Sequence, residues 1–377
     1  MEEKAFDTGL NDSQGTEVDP VQPGQFDIEA YADYAESLQD RNDEFWRQKE
    51  GIAVYRRFRV PRIFSDGCRD MKRSLALQLG ALELSMNYEA DVPNFLEPWY
   101  GIGAAASAFG LRYKWDPNNA PAIDSAIHSV KEALNRDIIP IKKTTIGRHI
   151  LEMIEYFLLS TEGRIPISLT DTQASLNVAS FIMDTNSFYL ELFDHPDEMK
   201  KLLSIITDLT IEFSQKQQEL IGEALVWPGH GFPSSRRFKG IGMSSDVMVT
   251  VSDAQYMEFE VPCSQKMGEA FGGAGFHSCG NWSRRIEAVK SIANLTMVDG
   301  AFSRETDPDP NSPELFFEQF QETGIVVNVR IVGDPDAILN QVRKLWKPGM
   351  RLIVTTYSKT PQEQSLVYNQ IQSMTTR

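Results

Sequence analysis

The chain has 377 residues, 41% of them hydrophobic, and a formal net charge of −16. That length suits one large α/β barrel or two smaller domains, and so acidic a chain is a poor partner for nucleic acid. No run of about 20 apolar residues is present to span a membrane, and three widely spaced cysteines (Cys68, Cys263, Cys279) give no disulfide framework. The opening MEEKAFD is acidic where a secretory signal would be basic and then apolar, so a cytoplasmic location is expected.

The acidity is concentrated at one end. Residues 1–50 carry 14 acidic and 4 basic side chains, a net of −10, which leaves −6 for the other 327 residues. Residues 1–25 mix Gly, Asp, Ser, Gln and Pro without apolar periodicity and are expected to be disordered or loosely attached. Residues 27–50 read as a helix with Ile28, Tyr31, Tyr34 and Leu38 on one face. The reading is therefore an acidic extension over 1–50 and a body over 51–377. The body opens on a basic segment, Tyr55–Arg73, with Arg56, Arg57, Arg59, Arg62, Arg69, Lys72 and Arg73. Arginines pair bidentately with carboxylates, so this segment could clamp a polyanion. Ordinary charge patterning favours the other role, neutralising the acidic helix before it.

From Leu75 onward helix and strand candidates alternate. The expected strands are Val92–Leu96, Ile138–Ile141, Ile165–Thr170, Ala224–Trp227, Gly275–Cys279, Leu295–Asp299, Val326–Ile331 and Arg351–Thr356. Between them lie helical stretches at Leu75–Tyr88, His149–Ser160, Leu176–Leu192, Pro196–Ile221, Ser252–Phe271, Trp282–Ile292, Pro313–Gln321 and Pro335–Trp346. Asp194 and Pro196 resemble a cap and first turn. Eight strands alternating with helices over about 300 residues match a TIM (β/α)8 barrel, with a doubly wound open sheet as the alternative. The glycines of Phe271–Gly275 precede a strand rather than open a helix, so they are not a phosphate loop.

In such barrels the chemistry sits at the C-terminal ends of the strands. There the chain gathers polar and aromatic groups: Glu97, Trp99 and Tyr100 after the first strand, then Asp171 and Gln173. Trp227, His230 and a loop reaching Asp246 follow, and after them His277, Cys279 and Asn281. Asp299, Asn328, Arg330, Thr355, Thr356 and Tyr357 complete the rim. His277 and Cys279 are two apart on a strand and point the same way. Zinc needs three or four ligands, so a carboxylate (Glu97, Asp246 or Asp299) could complete that pair. Trp99, Tyr100, Gln173, Trp227, Asn281, Asn328 and Arg330 are the candidate substrate contacts. A Cys-His hydrolase fits less well, because no oxyanion-hole turn follows the cysteine.

Three stretches, ADVPNFLEPWYGIGAAASAFG at 90–110, RIPISLTDTQASLNVASFIMD at 164–184 with LFDHPDEMKKLL at 192–203, and SSDVMVTVSDAQYMEFEVPCSQKMGEAFGGAGFHSCGN at 244–281, resemble the uroporphyrinogen decarboxylase superfamily. VGDPDAILNQV at 332–342 supports the resemblance, which runs from about Leu75 to Tyr357. These TIM barrels include the decarboxylase of haem synthesis and cobalamin-dependent methyltransferases. The resemblance implies a methyltransferase-like enzyme working with a corrinoid protein or a methylated small molecule. In that branch a His-x-Cys pair and a later cysteine hold zinc; His277 and Cys279 match the pair, while IVTTYSKTP at 353–361 offers no cysteine. The resemblance also implies, as an alternative, a cofactor-free lyase on a tetrapyrrole. Its acidic groups would be Glu97 and Asp246, with Tyr357 near the place of the family's late histidine. A non-catalytic tetrapyrrole- or corrinoid-binding barrel is the third reading, and a homodimer accords with the family.

Overall fold

Six short buried runs lie side by side as a parallel sheet, and their register positions everything that follows. The computed structural model describes residues 14–125 and 127–375. In chain order its strands are β1 (Gly51–Arg56), β2 (Tyr113–Lys114), β3 (Ala122–Ile123), β4 (Ile241–Ser244), β5 (Ala274–His277), β6 (Leu295–Ala301), β7 (Val326–Ile331) and β8 (Arg351–Thr356). β2 and β3 form a small antiparallel ribbon, and the other six are parallel in the order β1-β8-β7-β6-β5-β4. β1, β4 and β7 are buried along their whole length, as parallel strands covered by helices must be.

Backbone contacts carry the sheet round into a ring. The Asp91 amide donates to the Val54 carbonyl (2.8 Å), Leu96 bridges Ile167, and Ile167 bridges Leu225. The Gly242 amide then donates to the Pro228 carbonyl (2.9 Å) and so returns to β4. Helices at Met71–Ser85, Thr145–Ser160, Pro196–Ile221, Val261–Phe271, Pro313–Phe320, Pro335–Leu345 and Pro361–Thr375 pack outside. The result is a TIM-barrel-like α/β fold. Among the described residues no helix is long and apolar enough to cross a membrane.

Several elements differ from the expectation. Segments 92–96, 165–170 and 224–227 do join the ring, but through single bridges rather than long ladders. Ile138–Ile141 is not a strand: Pro140 lacks an amide proton for a ladder, and a 3-10 turn starts at Ile141. β1 occupies the ring instead; its apolar core, Ile52–Tyr55, is cut short by the arginines that follow. β4, with the sequence IGMS, is too short and too poor in β-branched residues to announce itself. The stretch Leu176–Leu192 is two helices, Ser175–Ile182 and Thr185–Asp194, and Asp194 ends the second of them. His195, not Asp194, takes the cap position before Pro196. Ser252–Phe271 is likewise interrupted, by a π-helical turn at Tyr256–Glu260.

The seam between β1 and the segment 91–96 is held by side chains. Asp91 Oδ2 accepts from the Val54 amide (2.9 Å) and from Gln372 (2.9 Å), and Oδ1 accepts from the Tyr368 hydroxyl (2.7 Å). Buried Asn94 accepts from the Phe58 amide (3.0 Å) and donates to the Arg56 carbonyl (2.9 Å). The first helix, Ile28–Arg47, lies near this seam, with its Tyr31 hydroxyl on the Asn94 carbonyl (2.7 Å). Ahead of it, Thr16 hydrogen-bonds Arg59 and Val21 hydrogen-bonds Ala76, so residues 14–25 run against the body. The remainder of the segment expected to be disordered, residues 1–13, lies outside the described residues.

Two predictions come from this packing. Gly80 sits in the helix Met71–Ser85, where a Cβ would lie 2.0 Å from the Asp19 carbonyl oxygen. Alanine normally favours a helix by about 1 kcal/mol over glycine. Here the clash wins, and Gly80→Ala should destabilise by roughly 1–3 kcal/mol in urea unfolding. Glu260 is wholly buried, accepting from the Leu176 amide and the Ser264 hydroxyl (2.6 Å each). Burial pushes its carboxyl up to about 7 from 4.5. A carboxyl raised in this way gives stability that is full below its unfolded value and is lost as pH rises through the folded one. Glu260→Gln removes that loss, so the variant should gain on wild type between about pH 5 and pH 8. The gain reaches on the order of 3 kcal/mol, read by urea unfolding at the two pH values.

Candidate active site

Strand register brings the first polar cluster together. His277 at the end of β5 is the register partner of Asp299 on β6, and Asp299 is the partner of Asn328 on β7. Side chains at paired positions of parallel strands point the same way, here into the mouth of the barrel. His277 Nδ1 lies 2.5 Å from Asp299 Oδ2. Arg330 Nε donates to the same oxygen (2.9 Å), and Asn328 Nδ2 donates to Oδ1 (2.5 Å). The Thr355 hydroxyl donates in turn to Asn328 Oδ1 (2.6 Å). Burial alone would raise the pKa of Asp299, but Arg330 and His277 hold it well below the ordinary carboxylate range.

With Nδ1 on Asp299, the other face of the His277 ring turns to the mouth. Its Nε2 stands 3.6 Å from Cys279 Sγ and 3.8 Å from Asp246 Oδ1. Asp246, just after β4, is held twice: Oδ2 accepts from the Ser244 hydroxyl (2.9 Å) and Oδ1 from the Cys279 amide (2.7 Å). One ligand atom from each of Asp246, His277 and Cys279 lies within 4.8 Å of the others. Tetrahedral zinc with ligands at 2.0–2.3 Å sets them roughly 3.3–3.8 Å apart, so small side-chain rotations would close the set. The chemistry of the donors also fits a cation. Cys279 meets solvent through the open end of the barrel, yet enclosure by the mouth and nearby Asp246 push its thiol up to about 12. A divalent ion would reverse that push and release the thiolate. For Asp246, burial raises the pKa, but the His277 ring overrides it and brings it below the usual value.

A second histidine faces the first. The rings of His230 and His277 are 4.8 Å apart between centroids. His230 Nδ1 lies 2.8 Å from Asp171 Oδ1, which also accepts from Gln173 Nε2 (2.6 Å), while Asp171 Oδ2 accepts from Trp99 Nε1 (3.2 Å). Burial opposes charging His230, but Asp171 next to it and Asp246 and Asp299 beyond raise its pKa. On the β1 side of the mouth Arg57 pairs with Glu97 (3.4 Å), both largely buried. Burial would lower the Arg57 pKa, but Glu97 and Tyr357 raise it. Tyr357 is buried beyond β8, close enough to act electrostatically on Arg57, Arg59 and Arg330.

The structure thus gathers Asp246, His277, Cys279, Asp299, Asn328 and Arg330, with Trp99 and Gln173 set behind His230. Of the carboxylates expected as a third metal ligand, Asp246 is the one among the ligand atoms. Asp299 lies behind His277, and Glu97 is committed to Arg57. Three expected substrate contacts lie elsewhere. Tyr100 stacks on His149 (3.9 Å) and lines a cleft of about 520 Å³ with Tyr113 and Trp115. The Trp227 ring packs on Phe271 (5.9 Å). Asn281 turns to Asp309 and the Ser283 amide, as a loop cap does. The acidic helix also finds cationic partners outside the basic segment. That helix pairs with Arg164, Arg236 and Arg237 through Glu29, Glu36 and Asp43, whereas Arg57 points into the mouth. The His230–Asp171 pair was the signal most easily missed, since 59 residues separate its members; the glycines on both sides of His230 were its only local mark.

Asp299 ties His277 and Arg330 in one buried unit, so its charge holds the site. Asp299→Asn leaves the Arg330 guanidinium without a counter-charge. It should cost about 3 kcal/mol of stability in urea unfolding, near the lower end for a broken buried pair. A loss under about 0.5 kcal/mol would place the pair in the range of surface bridges.

No curated protein matches the chain by sequence search. Among solved structures, 23 chains match. One is a methyltransferase from Methanosarcina mazei, 15% identical, with a TM-score of 0.57 and 97% of each chain covered. At that identity the likeness is one of fold. The sequence profile of uroporphyrinogen decarboxylase (URO-D) matches residues 53–351, most of the body of this protein. The chain belongs to the uroporphyrinogen decarboxylase family.

Proposed function

We propose that this chain is a metal-dependent methyltransferase that uses zinc at Asp246, His277 and Cys279 to methylate a thiol. The observation that carries the proposal is the Asp246 carboxylate, which stands with His277 Nε2 and Cys279 Sγ as a third donor in a chain that offers no late cysteine. The fold likeness to a methyltransferase from Methanosarcina mazei accords with it. Zinc bound there would lower the pKa of a substrate thiol and so activate it toward methylation at neutral pH. Three protein ligands leave the fourth position for that thiol, the usual plan of a catalytic rather than a structural site.

The rest is the work of the protein. Asp299 fixes the His277 tautomer and keeps Nε2 directed at the centre. Asp246 takes the Cys279 amide as well as the metal, which anchors the strand end after β5. Arg330 offsets part of the negative charge, standing near both Asp299 and Cys279. The methyl donor is a corrinoid protein or a methylated small molecule that reaches the open end of the barrel. A tetrapyrrole lyase is less well supported, because Glu97, its proposed acid, is engaged by Arg57.

Metal analysis of protein purified without chelator should find roughly one zinc per chain. His277→Ala, Cys279→Ala and Asp246→Ala should each lower it by tenfold or more. Wild type, but not these variants, should consume methylcobalamin when a thiol is supplied, followed by loss of its visible absorbance. Metal-free wild type, or metal content unaltered in all three variants, would sink the proposal.

A further inference from the structure

We infer that His230 seats the protic atom of the substrate, a thiol or hydroxyl, against the Asp246–His277–Cys279 centre and so selects for protic substrates. The inference rests on the metal reading above and goes beyond it by assigning a positioning residue outside the ligand set.

The placement of His230 is built, not incidental. Its backbone is left-handed (φ 52°), between Gly229 (φ 89°) and Gly231 (φ 64°). For a residue with a side chain that conformation costs on the order of 1 kcal/mol or more, and it persists only where the surroundings impose it. The run of three left-handed residues dips the loop into the barrel mouth. There a Cβ on Gly231 would sit 2.2 Å from an Arg57 guanidinium nitrogen. The side chain is then fixed by a chain of hydrogen bonds: His230 to Asp171, Gln173 to Asp171, and Asn177 to Gln173 (2.9 Å). Asn177 in turn accepts from the Val247 amide (2.7 Å), one residue beyond Asp246. So the loop carrying His230 and the residue after a metal ligand are referenced to the same amide.

A carboxylate on Nδ1 assigns that nitrogen the proton and leaves Nε2 as the edge for another partner. Among the described residues the hydrogen bond of His230 is the one to Asp171. Its ring lies 4.8 Å from that of His277, which puts it beside the group of ligand atoms. A thiol or hydroxyl can donate to His230 Nε2 and pass its proton there as it would join the metal, whereas a thioether or ether has no proton to give. A site that takes up the proton of a protic group discriminates against its methylated analogue, which has none to give. In a methyltransferase the product is that analogue, so His230 would favour entry of the thiol and departure of the thioether.

Calorimetric titration of the zinc-loaded full chain with 2-mercaptoethanol and with 2-(methylthio)ethanol tests this. His230→Ala should weaken binding of the thiol by roughly tenfold and leave the thioether unchanged, while His230→Gln keeps most of the thiol affinity. Zinc content should match wild type in both variants, and the effect on turnover should fall on KM for the thiol more than on kcat. Equal losses for thiol and thioether would mean simple collapse of the pocket, and unchanged thiol affinity would mean no contact; either overturns the inference. Zinc lost from His230→Ala as fully as from His277→Ala would make His230 a ligand, which also overturns it. If wild type holds no zinc, the metal reading fails on its own. The same titrations on the metal-free protein then decide whether His230 meets the thiol.

Discussion

The site depends on the register of three parallel strands. His277, Asp299 and Asn328 stand at paired positions on β5, β6 and β7, so one buried carboxylate can serve an imidazole on one side and an amide and a guanidinium on the other. Slipping β6 by one residue would put Val298 or Gly300 in that place and turn Asp299 to the opposite face. The register is in turn fixed by the apolar alternates, Val298 and Val327 among them, which must face the helices. The packing of the barrel wall and the aim of His277 are therefore the same constraint met from two sides.

The mouth balances its charges locally. Asp299 answers Arg330, Glu97 answers Arg57, and Asp171 answers His230. Among the described residues Asp246 and Asp171 each have a histidine rather than an arginine or lysine beside them; the other neighbours of Asp246 are a serine hydroxyl and a backbone amide. The Asp246 side chain is 42% exposed, so its charge is accommodated at the mouth and is open to a further partner. The proposed cation would engage that carboxylate, the His277 ring and the Cys279 thiol together.

Much of this was legible in the sequence, and what was not has physical reasons. The His-x-Cys pair at 277 and 279 announces itself because alternation on one strand is a local property. Strands such as VVNVRI and RLIVTT carry continuous apolar runs and were readable for the same reason. β1 is hidden in the sequence because arginines bound its apolar run at once, so that the stretch has the pattern of a charged segment. β4 was hidden because two of its four residues are glycine and serine. That Asp246, rather than Glu97 or Asp299, stands beside His277 Nε2 and Cys279 depends on loops of different length meeting in space, which no spacing along the chain encodes. His230 and Asp171 illustrate the same limit, being joined only by closure of the ring.

The seam between β1 and the segment at 91–96 has a consequence for how the protein is made. Asp91 is held from outside by Tyr368 and Gln372, on the helix Pro361–Thr375, and β1 itself pairs with β8. The first strand of the wall thus finds both its lateral neighbour and its clasp in the last thirty or so residues of the chain. During synthesis the barrel must wait, open along one side, until those residues have left the ribosome. Until then the edge of β1 that faces β8 has no partner strand and is open to pairing with another chain.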